Sequence, residues 1–362
     1  MRVGIVGLPV SGKTTLFSTL TGQEISALHE GRKIEVHRGV VKVPDQRLDQ
    51  LTEIYKPKKH VPATIEYIEV GGMLKEQAKA QGFDPQFLQV LKTVDMLCVV
   101  IRGFENEYHP HPDGNINPLR DLQTIETEFL LSDLSIVENR IERLEKQVLK
   151  AKDEEGIKEL ELLKRCHPWL ETEKPLRDLD FTEDELLYLR GFQFLSAKPM
   201  AVVINVNEND IGKEKEILAN FSEYQNNPKI MITALCAEIE QEISRLEIDD
   251  AQLFLADLKI EEPALNKLIR TSYELLGLIS FFTYGEDECR AWTVKKETNA
   301  QKAAGVIHSD LEKGFIRAEV VNYNQFIEHK SISKCRDLGL LRLEGKNYVV
   351  QDGDIITIRF NV

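Results

Sequence analysis

The sequence contains few cysteines and no long apolar run. Its five cysteines are scattered without C-x-x-C spacing, which favours reduced thiols and argues against a cysteine zinc site. No run of about 18 apolar residues is present, so no segment is predicted to span a membrane. The N-terminal residues lead straight into an apolar strand, and we therefore expect a cytoplasmic protein without a signal peptide.

Basic residues are also fewer than acidic ones, with 46 Lys and Arg against 60 Asp and Glu. The net charge of −14 opposes binding to nucleic-acid phosphates, so we expect no sequence-specific DNA binding, and any RNA contact must use a local basic patch. The 362 residues, 42% of them hydrophobic, are enough for two or three ordinary cores. We expect a globular monomer with more than one domain.

A phosphate-binding motif lies near the N-terminus. The pattern G-x-x-x-x-G-K-[ST] occurs at Gly7, Gly12, Lys13 and Thr14, after a predicted strand at Arg2–Val6 and before a predicted helix. The glycines let backbone N–H groups converge on phosphate oxygens, the lysine adds a positive charge and the threonine offers a hydroxyl to Mg²⁺. The residues predicted to bind the phosphates are Gly7, Leu8, Pro9, Val10, Ser11, Gly12, Lys13, Thr14 and Thr15.

A second predicted strand, Thr64 to Val70, ends in E-V-G-G. Switch-type nucleotide hydrolases place D-x-x-G here, with the acid holding Mg²⁺ through water and the glycine N–H sensing the γ-phosphate. The acid is Glu69 in this chain, and we predict that Thr14 and Glu69 form the metal site. The backbone around Gly72 and Met73 is the candidate catalytic segment. Met73 offers no polar group to orient water, so hydrolysis should be slow.

The base-binding residues are predicted after the apolar strand Met200 to Ile204. Guanine-specific proteins carry N-K-x-D there, but this chain reads Asn205-Val206-Asn207-Glu208. Without the aspartate, guanine loses its specific acceptor, and ATP should compete well with GTP. The alternative register, Asn207 to Asp210, also reads N-x-x-D. We prefer Asn205, Val206 and Glu208, and we expect Cys236 and Ala237 to supply backbone groups to the base.

Two further segments have recognisable patterns. Apolar residues at Leu130, Leu134, Val137, Ile141, Leu144 and Val148 are typical of a helical arm whose partner returns after a turn near Asp153 to Gly156 and is kinked or ends near Pro168. Thr182 with Glu185 predicts a capping box for a helix reaching Phe194. The arm either packs only against itself or binds a partner.

The C-terminal part, from Leu278, alternates short strands and turns. Strands are predicted at Leu278 to Thr283, Cys289 to Val294, Phe315 to Val321, Leu340 to Leu343, Tyr348 to Val350 and Ile355 to Phe360, with one helix at Ala300 to Ile307. It contains no catalytic cluster, and a structural role is favoured over a catalytic one for His308. The basic run Lys56 to Lys59 is either a solvated turn or a contact with phosphate or RNA.

These motifs together resemble the YchF or Obg-like ATPase family along essentially the whole chain. The matching stretches include G-L-P, G-V-V-K-V-P-D-Q-R-L, P-K-K-H-V-P-A-T-I-E, N-V-N-E and G-F-I-R-A-E-V-V. The resemblance implies an α/β fold with a Ras-like P-loop nucleotide-binding domain (1–118 and 199–277), an inserted coiled-coil arm (119–198) and a C-terminal β-grasp TGS domain (278–362). It also implies ATP preference, Mg²⁺ dependence, and binding to ribosomes or RNA through the arm and the TGS domain.

The chain departs from the family pattern at several positions. Val10 replaces an asparagine that aids monovalent-cation binding, and Lys33 stands where a Mg²⁺-binding threonine belongs. Glu69 replaces an aspartate, and the glycine-rich continuation is reduced to Gly82. The resemblance therefore implies a divergent member that binds nucleotide and turns it over slowly or not at all.

Three hypotheses follow from the sequence. The first is a slow ATPase switch acting on ribosomes or RNA. The second is a binding protein that uses ATP or GTP as a structural ligand. The third is a small-molecule kinase, which shares the phosphate loop but for which no arginine-bearing lid is evident.

Overall fold

The computed structural model describes two compact units. The described residues are 1–25, 35–71, 82–148 and 153–361. The first unit comprises Met1–Gly39 and Glu66–Leu265, and the second comprises Val40–Ile65 and Asn266–Val362. Each unit contains its own cluster of buried apolar side chains.

The helices and strands are numbered along the chain. The strands are β1 (Arg2–Val6), β2 (Glu35–Lys42), β3 (Lys59–Val61), β4 (Thr64–Gly71), β5 (Met96–Arg102), β6 (Met200–Asn205), β7 (Ile230–Leu235), β8 (Leu278–Thr283), β9 (Glu288–Lys295), β10 (Phe315–Asn322), β11 (Arg342–Glu344) and β12 (Asp354–Phe360). The helices are α1 (Lys13–Thr21), α2 (Gln46–Tyr55), α3 (Pro85–Lys92), α4 (Pro118–Val148), α5 (Glu154–Glu171), α6 (Glu183–Leu189), α7 (Glu214–Ala219), α8 (Ser222–Gln225), α9 (Ala237–Arg245), α10 (Ile248–Asp257), α11 (Ala264–Leu275), α12 (Ala300–Ile307), α13 (Ser309–Lys313), α14 (Tyr323–His329) and α15 (Ile332–Asp337).

The sheet of the first unit has the strand order β2-β4-β1-β5-β6-β7. Strands β4, β1, β5, β6 and β7 pair in parallel. Every residue of β5 and β6 is buried, which agrees with their continuous apolar sequences and confirms that they are central strands. The carboxyl ends of parallel strands meet at one edge of the sheet, where ligands bind in folds of this class.

The predicted helical arm is formed by α4 and α5. Along α4 the apolar seam packs into a separate core with α5, where Val137, Leu144 and Leu163 are fully or almost fully buried. The predicted capping box at Thr182 and Glu185 is present. The returning helix was predicted to be kinked or to end near Pro168; α5 contains Pro168 and ends three residues later, at Glu171.

Buried polar contacts hold the base of the arm in the first unit. Asp133 is buried and accepts backbone hydrogen bonds from Leu195 and Ser196. Burial raises the pKa of Asp133 to about 6. Arg177, also buried, forms a 2.6 Å ion pair with Glu126. These contacts join the first part of the insertion to its last part.

The second unit contains a mixed sheet with the order β11-β10-β12-β8-β9-β3. Its core consists mainly of apolar residues from the sheet and alanines of α12, including Phe281, Ala304 and Val320. β10 pairs antiparallel with β11 and β12, and β8 pairs antiparallel with β9. The predicted strands at Leu278 to Thr283 and Ile355 to Phe360, and the helix at Ala300 to Ile307, are confirmed.

Residues 40–65 pack within the second unit, although the sequence analysis places them in the nucleotide-binding domain. β3 pairs in parallel with β9. Arg47 of α2 forms ion pairs with Asp45 and with Asp352, and its guanidinium lies over the ring of Phe282. These contacts explain why this segment joins a sheet distant in sequence. The predicted domain bounds themselves stay a prediction.

Several predicted elements have different extents in the structure. Tyr348 to Val350 forms an isolated bridge at Val349 and no strand. The helix predicted to reach Phe194 ends at Leu189, because Gly191 and the left-handed Gln193 (φ 54°) follow it. Three short helices, α13 to α15, were not predicted. They have five to seven residues, too few to produce a clear helical period in the sequence.

Two further findings concern membrane spans and cysteines. No helix in the described part of the chain has the length and apolar character needed to cross a membrane. All five cysteines are free and buried, as expected for thiols that act as small core side chains.

Candidate nucleotide-binding site

The phosphate-binding motif forms the loop between β1 and α1. Gly12 precedes the helix in the left-handed conformation (φ 91°), which glycine adopts without strain. A side chain at Gly7 would collide with the backbone carbonyl of Val100, and one at Gly12 would collide with the amide of Asn205. Close packing therefore requires the two glycines, as does backbone conformation at Gly12. The N-terminus of α1 directly follows the loop, and a helix N-terminus favours the binding of an anion.

Lys13 lies partly buried at the start of α1. Its Nζ donates a 2.9 Å hydrogen bond to the carbonyl oxygen of Leu8, so the side chain folds back over the loop. Loss of hydration lowers the pKa of Lys13 to about 8, partly offset by attraction to Glu69. Because this pKa is still above 7, the ammonium is mostly charged at neutral pH. In this poorly hydrated position it would form a stronger hydrogen bond with a charged phosphate oxygen than with a carbonyl oxygen.

The two predicted metal ligands lie together. Thr14 donates a 2.6 Å hydrogen bond from Oγ1 to Oε1 of Glu69. Glu69 at the end of β4 is 2% exposed, and its Oε2 has no hydrogen-bond partner among the described residues. Hydroxyl and carboxylate oxygens are the donors that Mg²⁺ prefers, and a buried carboxylate oxygen without a partner needs a cation or a donor. The residues present therefore fit a Mg²⁺ ion.

Asn205 joins the phosphate loop to the predicted base loop. Its Nδ2 donates to the carbonyl oxygen of Ser11 at 3.1 Å, and its Oδ1 accepts from the N–H of Ala237 at 3.0 Å. Asn205 is 6% exposed, so both bonds are shielded from water. This bridging role was not anticipated from the sequence, because the two partners are backbone groups distant along the chain.

The two alternative registers of the base motif differ in the contacts of their side chains. The Asn207 side chain is exposed and caps its own turn by accepting from the N–H of Asn209. Asp210 pairs with Lys213. In contrast, the Asn205 side chain lies inside the site. The arrangement favours the register that begins at Asn205, with Glu208 exposed on the short turn that follows.

The remaining predicted site residues are placed as follows. Val206 is buried and its N–H bonds to the carbonyl of Leu235. Cys236 is buried at the N-terminal end of α9, and burial raises the pKa of its thiol. Pro9 and Thr15 lie in the loop and in α1. Lys33, Gly72 and Met73 lie outside the described residues.

Two other candidates from the sequence have structural roles here. His308 accepts a hydrogen bond from the N–H of Asp310 and caps α13, which supports the structural interpretation of this histidine. In the basic run, Lys58 forms an exposed ion pair with Asp287. Exposed pairs of this kind contribute little to stability, about 0 to 1 kcal/mol.

Two family models match this chain. A model described as "50S ribosome-binding GTPase" matches residues 2–155, and the YchF-GTPase_C model, described as a protein of unknown function, matches residues 278–361. The two models thus cover the first part of the nucleotide-binding region with the first part of the arm, and the C-terminal region.

Relatives match the chain over its whole length. "Ribosome-binding ATPase YchF" of Bacillus subtilis (strain 168) is 42% identical, with 100% of each chain covered. The protein of the same name from Escherichia coli O157:H7 is 39% identical, covering 100% of this chain and 99% of the relative. "Obg-like ATPase 1" of Oryza sativa subsp. japonica is 36% identical, covering 100% and 92%. The solved structure of the Schizosaccharomyces pombe YchF GTPase is 30% identical, with a TM-score of 0.85 and coverage of 99% and 97%.

Proposed function

This chain belongs to the YchF family, and from that premise we propose that it is a nucleotide-dependent switch that binds ATP with Mg²⁺, hydrolyses it slowly and associates with ribosomes. The observation that carries the proposal is the convergence of Lys13, Thr14 and Glu69 beside the glycine loop. A positive charge, a hydroxyl and a buried carboxylate are the groups that a triphosphate and its metal require. The ribosome is proposed as the partner because the relatives are named ribosome-binding ATPases.

Each residue of the loop has a distinct part in this proposal. The loop N–H groups and Lys13 would bind the phosphates, with Lys13 exchanging its bond to the Leu8 carbonyl for one to a phosphate oxygen. Thr14 and Glu69 would hold Mg²⁺, which supplies charge neutralisation at the phosphates when bound. Asn205 would hold the phosphate loop and the backbone of Ala237 at a fixed distance from each other. The base and the phosphates of one nucleotide could then be bound at the same time.

We propose ATP as the preferred nucleotide, with GTP as a second ligand. Glu208 stands in place of the aspartate that accepts two hydrogen bonds from guanine. Leaving guanine donors without partners costs about 1 to 3 kcal/mol. Hydrolysis is expected to be slow because Met73 has no polar group with which to orient water.

The proposed partner and cellular location also rest on membership of the YchF family. Contacts with the ribosome would be made by the arm (119–198) and the C-terminal domain (278–362), attached to a nucleotide-binding domain formed by 1–118 and 199–277. We propose that the protein acts as a monomer in the cytoplasm.

A single-turnover assay tests the proposal. Protein in excess over ATP labelled at the γ-phosphate, with K⁺ and Mg²⁺, should release phosphate over minutes to hours. Lys13→Ala should abolish this release, whereas Lys215→Ala, which removes an exposed lysine on α7, should not. ATP bound but intact after hours would favour the alternative, a protein that uses ATP or GTP as a structural ligand, and absence of ATP binding would refute both.

A further inference from the structure

Helices α5 and α6 of the arm line a groove of about 790 Å³. We name it the arm groove; its lining includes Lys158, Glu161 and Leu162 of α5 and Asp184, Leu187 and Tyr188 of α6. We infer that the arm groove binds an amphipathic α-helix of a partner protein, with lysine or arginine residues beside an apolar stripe. This inference rests on the proposed role of the arm as a contact surface, and it names the chemical class of the partner.

The arm groove exposes apolar surface. Leu187 is 67% exposed, and Leu186, its neighbour on the same short helix, is 52% exposed. Leu162 lines the groove from α5 and packs in the arm core with Leu163 and Cys166. Exposed apolar side chains that adjoin a groove and have charged residues around them are typical of a protein contact site. An apolar stripe on a partner would remove Leu187 from water.

The length of the arm groove suits a helix of two to three turns. The α5 residues that line it extend from Glu155 to Arg165, which corresponds to about 15 Å along the helix axis. Arg165 and Glu185, which both line the groove, form a 2.8 Å ion pair, so a contact within the protein holds α5 and α6 together. A groove held in this way loses little conformational entropy when a partner binds.

Charged residues on the side of α5 that faces α4 have partners within the arm. Glu159 pairs with Arg140 at 2.7 Å, and Lys164 pairs with Glu145 at 2.6 Å. These charges join the two long helices to each other. They are therefore not available to attract another protein.

The arm groove, in contrast, has an excess of negative charge. Glu155, Glu161 and Asp184 are exposed, and within the described residues none of their carboxylates has an ion pair or a side-chain hydrogen bond. Lys158 is also exposed and has no such contact in the same part of the chain. The other two charged lining residues pair with each other, so three carboxylates against one ammonium leave the groove with a net charge of −2.

This charge favours a basic protein segment over RNA. The arm segment, 119–198, contains thirteen Lys or Arg and nineteen Asp or Glu, so the surroundings of the groove are negative as well. A phosphate backbone would be repelled by such a surface. A helix that carries lysine or arginine would be attracted to it, and its apolar residues at positions i, i+3 or i+4 and i+7 would contact the groove.

The test uses the full chain and a fluorescein-labelled synthetic peptide of about four helical turns, with leucine at positions i, i+3, i+4 and i+7 and lysine elsewhere. Fluorescence anisotropy measures its affinity. One control peptide has the same composition with the leucines spread over all faces, and another has glutamate in place of lysine. The arm groove should bind the first peptide at least about tenfold more tightly than either control.

Two leucine variants test the apolar contact. Leu187→Asp should weaken binding about tenfold or more, because burial of a leucine side chain stabilises a complex by at least that factor. Its matched control is Leu253→Asp, the same change at a leucine of α10 that is 71% exposed, and this control should bind like the wild type. Leu187→Ala, which favours the helical conformation, should still weaken binding about threefold or more.

Two charge variants test the electrostatic contact. Glu161→Lys should weaken binding about three- to tenfold, and Lys158→Glu should strengthen it by about the same factor, because the peptide is basic. The control Glu242→Lys makes the same charge change at an exposed site on α9 and should leave the affinity unchanged. The differences should diminish at high salt.

Each outcome decides the inference. Equal losses in a groove variant and its control, or no preference for the basic amphipathic peptide, would overturn it. It would also be overturned if an unlabelled single-stranded RNA of mixed sequence displaced the peptide from the wild type, because the groove would then bind nucleic acid. All variants should keep the wild-type affinity for ATP. Failure of the wild type to bind ATP or ribosomes would refute the proposed function, whereas loss of the differences between variants and controls would refute this inference alone.

Discussion

Lys13 should make nucleotide affinity and protein stability respond to pH in opposite directions. Burial lowers the pKa of Lys13 from 10.5 to about 8 in the free protein. The difference corresponds to about 3 kcal/mol by which the fold disfavours the charged form. A bound polyphosphate would stabilise the ammonium and raise this pKa again.

The signs follow from proton binding. Between pH 8 and 10.5 the unfolded chain holds a proton on Lys13 that the free folded protein has released, so the stability of the free protein should rise with pH by up to about 3 kcal/mol. Nucleotide binding requires the ammonium. Affinity should therefore be nearly constant below pH 8 and should fall above it, by up to about tenfold for each pH unit.

The assay is titration of a non-hydrolysable ATP analogue with Mg²⁺ from about pH 7.5 to about pH 9.5, together with chemical unfolding of the free protein. Lys13→Arg is the control, because arginine stays charged; its affinity should be lower but independent of pH. Burial also lowers the pKa of Lys198 to about 8. Lys198 is present in both the wild type and Lys13→Arg, so its contribution to the pH dependence cancels in the comparison. Constant affinity of the wild type across this range, or an equal fall in Lys13→Arg, would refute the reasoning.

Three further predictions concern the loop, the base site and the arm. Val10 is a β-branched residue at φ 62°, so Val10→Asn should raise the free energy of unfolding by about 1 kcal/mol while Val10→Ile should not; equal unfolding midpoints would contradict this. Glu208→Asp should shift the ratio of ATP to GTP affinity toward GTP in competition titrations, and an unchanged ratio would show that Glu208 does not read the base. Arg177→Ala should destabilise the protein by about 2 to 4 kcal/mol in urea unfolding, because it leaves the partly buried Glu126 carboxylate without its ion-pair partner, although the Tyr224 hydroxyl still donates to it; a loss below about 1 kcal/mol would contradict this.

The elements that follow local rules could be predicted well. The phosphate loop, the central strands β5 and β6 and the seam of α4 each carry a strong sequence pattern, because glycine conformation, burial on two faces and helical period act over a few residues. The same holds for the capping box at Thr182, whose two partners are three residues apart. Short helices such as α15 escaped prediction because a cap alone is a weak signal.

Contacts between distant segments could not be predicted. Nothing around Arg47 indicates that it pairs with Asp352, more than 300 residues later, or that β3 joins the C-terminal sheet beside β9. The same limit applies to Asn205, whose position after a strand suggested base binding but whose bonds to Ser11 and Ala237 depend on how three loops meet.

The sequence by itself determined the phosphate-binding chemistry and the kinds of elements present, since glycines, a lysine and a threonine at fixed spacing suit one ligand class wherever they fold. Only the tertiary structure decided that Glu69 bonds to Thr14, that the Lys13 ammonium is poorly hydrated, and that Arg317 faces Arg359. Each of these depends on strands that are distant in the chain becoming neighbours in a sheet. The hydration of such side chains and their distances from one another determine their charge and affinity. Neither quantity can be predicted from the order of residues in the sequence.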